Sequence, residues 1–122
     1  MVVIKGRPPR LQQIFQSYDT PLFFVTMCTL HRRKIPSLEA AHEALVMHGA
    51  RGMKEFNAAL GRYVIMPDHL HFFVCGDQDF VLTTWVKGLK RTILEAFPNE
   101  QRKSVWQPGF FDHLLRTEES YA

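Results

Sequence analysis

Two apolar, strand-like runs, residues 62–66 and 69–75, are joined by Pro67 and Asp68 alone. Strands this close in sequence can pair only antiparallel, because a parallel partner needs a crossover of a dozen or more residues. Pro67 fixes φ near about −65°, which excludes the type I′ turn favoured by two-residue hairpins. A slightly longer loop around Pro67-Asp68 is therefore predicted.

The rest of the chain fits around this hairpin. Residues 21–30 (Pro-Leu-Phe-Phe-Val-Thr-Met-Cys-Thr-Leu) are rich in aromatic and β-branched types and read as a strand. Apolar residues occupy both of its alternating sets, so both faces should be covered. Ser37 is placed to cap a helix from about 38 to 60, and Glu39 suits its positive N-terminus. Gly49 and Gly52 predict a kink or break in that helix. A second helix is predicted over 80–96, closed by Phe97-Pro98-Asn99. The last strand lies within 105–115, broken near Pro108-Gly109. The order β-α-β-β-α-β indicates an α+β, ferredoxin-like fold: a four-stranded antiparallel sheet with two helices on one face. Residues 1–20 read as a basic, extended N-terminal segment and 21–122 as one domain.

Hydrophobic residues make up 46% of the chain and charged residues 22%, which excludes a disordered polymer. Fifteen Lys and Arg against twelve acids give a charge of +3, which permits a polyanionic partner without requiring one. The two cysteines, Cys28 and Cys75, form no CxxC pair, so a zinc ribbon or thioredoxin-like site is unsupported and reduced thiols are expected. The start lacks the pattern of a secretory signal, and the apolar runs are too short to span a bilayer. A cytoplasmic protein is the expectation.

His69 and His71 lie two apart in the third strand. A strand places such residues on one face, about 7 Å apart along the chain. The alternation puts His69, His71, Phe73 and Cys75 on one side and Leu70, Phe72 and Val74 on the other. The second set suits the helix-covered core, which leaves the histidines on the open face. Two imidazoles can share one metal ion. Two partly exposed, hydrogen-bonded histidines with no ligand would give the same short pattern.

The wider stretch Tyr63-Val-Ile-Met-Pro-Asp-His-Leu-His71 resembles the HUH motif of the single-tyrosine transposases. That family includes the insertion-sequence and the REP-associated tyrosine transposases. Phe24-Val-Thr-Met-Cys-Thr29 followed by Arg32-Arg33 is similar to the family's first strand and its basic end. Trp85-Val-Lys-Gly-Leu-Lys-Arg91 is similar to its second helix. Trp106-Gln-Pro-Gly-Phe-Phe-Asp-His113 and Leu115-Arg-Thr-Glu-Glu-Ser120 resemble its later block. The resemblance covers about residues 20–122.

This resemblance implies metal-dependent cutting and rejoining of single-stranded or hairpin DNA. The two histidines would bind a divalent metal, Mg or Mn, with a third ligand from a later helix. The metal would act as a Lewis acid on the scissile phosphate. A tyrosine would attack, giving a 5′-phosphotyrosine and a free 3′-hydroxyl. The chain departs from the family here. The nucleophile normally follows the Arg-Thr-Glu-Glu-Ser block by more than the two residues present, so Tyr121 comes too early. Tyr18 and Tyr63 match no nucleophile position. The reading is a domain lacking its tyrosine helix and inactive as written. Asp112 and His113 have no geometric claim to be ligands.

Candidate phosphate contacts are Arg32 and Arg33 at the first strand's end, with Arg7, Arg10 and Lys34. Lys87, Lys90 and Arg91 fall at helical spacing and share one face. Phe80 and Trp85 suit the core better than base stacking. The competing readings are a non-catalytic single-strand nucleic-acid-binding protein and a plain metal-binding module. Phe73 and Cys75 on an open face call for a cover, for which a homodimer or residues 1–19 are the candidates.

Overall fold

The computed structural model describes residues 3–6 and 21–115. Its strands are β1 (Ile4–Gly6), β2 (Leu22–Cys28), β3 (Ala59–Met66), β4 (His69–Cys75) and β5 (Phe111–Leu115). Its helices are α1 (Leu38–Phe56) and α2 (Leu82–Glu95). The strands form one sheet in the order β1-β3-β4-β2-β5, with every neighbouring pair antiparallel. The predicted ferredoxin-like arrangement is present in β2 to β5.

The sheet has five strands instead of four. Ile4 and Gly6 of β1 pair with Ile65 and Tyr63, so this part of the N-terminal segment joins the domain. Ile4 packs on the core, and Lys5 alternates to the other side. Gly6 is required at this edge: a Cβ there would fall 2.1 Å from Tyr63 Cζ. Pro8 and Pro9 dominate the sequence reading of this segment and hide a strand of three residues.

Leu70, Phe72 and Val74 of β4 are fully buried. They share one cluster with Ala41 and Leu45 of α1 and with Leu89 and Ile93 of α2, so both helices cover that one face. Phe72 meets Trp85 with ring centroids 5.4 Å apart. Burying a ring of that size contributes about 1.5–3 kcal/mol.

Helix α1 starts as predicted, with Ser37 Oγ accepting from the Ala40 amide at 3.1 Å. It ends at Phe56, where Asn57 turns left-handed at φ 52°. Gly49 and Gly52 cause no break. They are sites of close approach, because a Cβ at Gly49 would meet Leu60 and one at Gly52 would lie 2.9 Å from Trp85 Nε1. The early end of α1 lets β3 begin at Ala59, and a register shift between Leu60 and Tyr63 absorbs the difference.

The hairpin turn is two residues after all, with Met66 paired to His69. Neither Pro67 nor Asp68 has a positive φ, so type I′ is indeed avoided. Tertiary bonds hold the tight turn instead. Pro67 O accepts from the Ile35 amide at 2.6 Å, and Asp68 O accepts from the Thr29 amide and hydroxyl, each at 3.0 Å.

Candidate metal and nucleic-acid site

His69 and His71 project from β4 onto the face opposite the helices, as their alternation with the buried Leu70 and Phe72 requires. Their ring centroids lie 4.8 Å apart, with the planes at 79°. Each ring is anchored through Nδ1. His69 Nδ1 donates to Asp68 Oδ1 at 2.6 Å, and His71 Nδ1 lies 2.8 Å from Thr26 Oγ1 on β2. Phe24 stacks on His71 at 5.4 Å and 14°, and its own ring meets Phe73 at 4.9 Å. The histidine ring is thus clamped by a hydroxyl, a stacked phenyl and the edge of its partner imidazole.

Asp68 is held in turn by Arg32, whose Nε donates to Oδ2 at 3.0 Å. His31 and Arg32 both take left-handed backbone conformations, at φ 55° and 57°. That turn directs Arg32 back over the hairpin. Hydrogen bonds from His69 and Arg32 keep the Asp68 carboxyl below its ordinary pKa. Burial, and then the neighbouring His69, push the His71 imidazole below its ordinary value, so it favours the neutral form a metal ligand needs.

Both Nδ1 atoms are occupied, which leaves Nε2 as the ring nitrogen available to a ligand. Histidine metal ligands have this arrangement, with the second ring nitrogen fixed by an oxygen acceptor. The pair fits a divalent cation as two of its ligands. Among the described residues, no group of three or more His, Cys, Asp or Glu side chains is placed to hold a metal. By register, Asp112 opposes Val25, a core residue, and so belongs to the helix side; His113 opposes Phe24 and shares the open face.

The predicted basic contacts separate into two groups. Arg32 and Arg33 are exposed beyond the end of β2, and Arg32 pairs with Asp68, the neighbour of His69. Lys87, Lys90 and Arg91 sit on α2, on the other side of the sheet. Arg91 lines a groove of about 650 Å³ between α1 and α2 with Arg51, Glu55, Asp77 and Glu95, a lining of mixed sign. Lys90, which shares that helical spacing, makes bonds within the fold. Its Nζ donates to Gln107 O at 3.1 Å and Gly109 O at 2.7 Å, and burial lowers its pKa. It clamps the strap that leads into β5. Phe80 and Trp85 pack with the core, as expected.

Tyr63 is buried on the helix side, with its hydroxyl 2.8 Å from His42 Nε2. Tyr18, Tyr121, Arg7 and Arg10 lie outside the described residues. Both cysteines are reduced thiols; Cys75 is fully buried in a small cluster with Leu22 and Ala59, against which Phe73 packs. The chain itself therefore supplies part of the cover expected from a partner. Among the described residues, no helix is long and apolar enough to cross a membrane.

The sequence profile of IS200-like transposases matches residues 22–119. No curated protein matches. Among solved structures, a Deinococcus radiodurans R1 protein described as a candidate transposase is 18% identical, with a TM-score of 0.64 over 80% of this chain and 81% of that one. A REP-associated tyrosine transposase bound to a REP hairpin is 20% identical, with a TM-score of 0.54 over 95% of this chain. This chain spans 60% of that protein's length. At these identities the structures show a shared fold, whereas the profile match covers most of the sequence. The chain belongs to the IS200-like transposase family.

Proposed function

We propose that the open face binds single-stranded or hairpin DNA, with His69 and His71 presenting one divalent cation, Mg or Mn, to a backbone phosphate. The observation that carries this reading is the pair of adjacent imidazoles on the open face, each anchored through Nδ1, in a chain of a transposase family. The REP-associated relative, bound to a DNA hairpin, supports the class of partner. When bound, the cation would supply Lewis-acid polarisation of the phosphate. Asp68, Thr26 and Phe24 fix the rings, and Arg32 and Arg33 add positive charge for the backbone.

Full transposase chemistry would run through a tyrosine. Its oxygen would bond to phosphorus, the P–O3′ bond would break, and the 3′-oxygen would leave with a proton. Among the described residues, Tyr63 is the one tyrosine, and it faces away from the histidines. A second reading stands beside the first: this domain binds and orients DNA without cutting it.

Two measurements test the proposal. Manganese titration should show weak binding that is lost in the His69→Ala, His71→Ala double variant; equal affinity in both proteins would remove the metal site. A nicking assay with labelled hairpin DNA should show binding and no covalent adduct. An adduct abolished by Tyr121→Phe would make the chain an active nuclease.

A further inference from the structure

One row of residues crosses the whole sheet: Lys5, Val64, His71, Thr26 and Phe111 stand opposite one another on β1, β3, β4, β2 and β5. Four strand spacings make this row roughly 19 Å long. Lys5 and His71 both lie on the face away from the helices, and alternation places Phe111 there too. The row therefore carries a cation at one end, an imidazole near the middle and an aromatic ring at the other end.

Phe111 is 63% exposed, although its neighbour Phe110 packs against the core. It is also firmly placed. Lys90 holds the carbonyls of Gln107 and Gly109 just before it, and the Gln107 amide donates to Cys28 O at 3.0 Å. From His71 it stands two strand spacings away, roughly 10 Å, which is within one or two nucleotides of a single strand.

We infer that Phe111 is a stacking platform for a nucleobase next to the phosphate held at His69 and His71. The inference rests on the nucleic-acid reading of the open face. A phenyl ring offers a π-face to any base, so the contact would tolerate different sequences. Lys5, at the far end of the row, would meet the backbone on the other side of that phosphate. A bound strand would then run across the β-strands, from β1 towards β5.

The test uses a thymidine oligonucleotide of about 20 residues with one 2-aminopurine moved stepwise along it. Affinity is read by anisotropy and stacking by quenching of the 2-aminopurine. The wild type should bind and quench the 2-aminopurine at internal positions. Phe111→Ala and Phe111→Leu should bind about tenfold more weakly and lose the quenching, and Phe111→Trp should restore both. Leucine keeps an apolar side chain in the strand, so its failure would isolate the aromatic face. Wild-type affinity and quenching in Phe111→Leu would overturn the inference. No binding by the wild type would instead overturn the nucleic-acid reading beneath it.

Discussion

Thr26 Oγ1 lies 2.8 Å from His71 Nδ1, across 45 residues of sequence. A residue of the first core strand thus sets the ring orientation of a residue in the hairpin. The register of β2 on β4, with Thr26 directly opposite His71, makes this contact.

Removing that anchor should loosen the site without unfolding the sheet. Thr26→Val keeps the shape and β-propensity and deletes the oxygen. Manganese affinity should fall about tenfold, within the range typical for lost outer-shell partners. Calorimetric titration, with circular dichroism to check the fold, reads the effect. An unchanged affinity would separate Thr26 from ligand positioning.

Asp68 and Arg32 should differ in weight although they touch each other. Asp68→Ala removes the acceptor from His69 and should weaken manganese binding by about 10–100-fold. Arg32 is mostly exposed, so Arg32→Ala should change stability by at most about 1 kcal/mol. Urea unfolding and metal titration of both variants provide the comparison. Equal metal losses would mean that Arg32 acts on His69 through Asp68.

Lys90 should matter for stability first. Lys90→Met keeps the alkyl stem and removes two charge-assisted bonds to the strap. Allowing for partial exposure, a loss of about 1–2 kcal/mol is expected. Amide exchange around residues 107–111 should accelerate in the same variant. A stable variant with fast DNA dissociation would instead put Lys90 on the nucleic acid.

His48 gives the fold a dependence on pH. Its Nε2 donates to Trp85 O at 3.0 Å, and burial, with a smaller repulsion from Arg51 and Arg91, lowers its pKa below the ordinary 6.5. The unfolded chain therefore takes up a proton at this residue before the folded one does. Its contribution is intact above about pH 6.5 and declines as the pH falls toward the lower folded value. Thermal melts from pH 7.5 down to 5, compared between wild type and His48→Gln, should show a shallower slope in the variant. Parallel slopes would exclude His48 as the source.

Gly52 tests the packing of the helix layer. An added Cβ would lie 2.9 Å from Trp85 Nε1, so Gly52→Ala should destabilise by about 1–3 kcal/mol despite its better helix propensity. Chemical denaturation measures this directly. A stabilised variant would show that Trp85 has room to move.

The sequence by itself determined the order of the core elements, because periodicity and punctuation are local. Alternation alone separated His69 and His71 from Leu70, Phe72 and Val74, and the Ser37 cap and the avoidance of a type I′ turn at Pro67-Asp68 were equally readable. The rest depended on contacts distant in sequence. Three residues, Ile4–Gly6, carry too little pattern to mark a strand; it exists because β3 offers an unpaired edge. The glycines of α1 read as breakers until their neighbours are known, since only packing shows that Leu60 and Trp85 fill the space beside them. Lys90 has the spacing of a solvated cation, yet folding brings the carbonyls of Gln107 and Gly109 to it. The anchoring of His71 by Thr26, and the row that ends at Phe111, arise from strand register, which no single segment encodes.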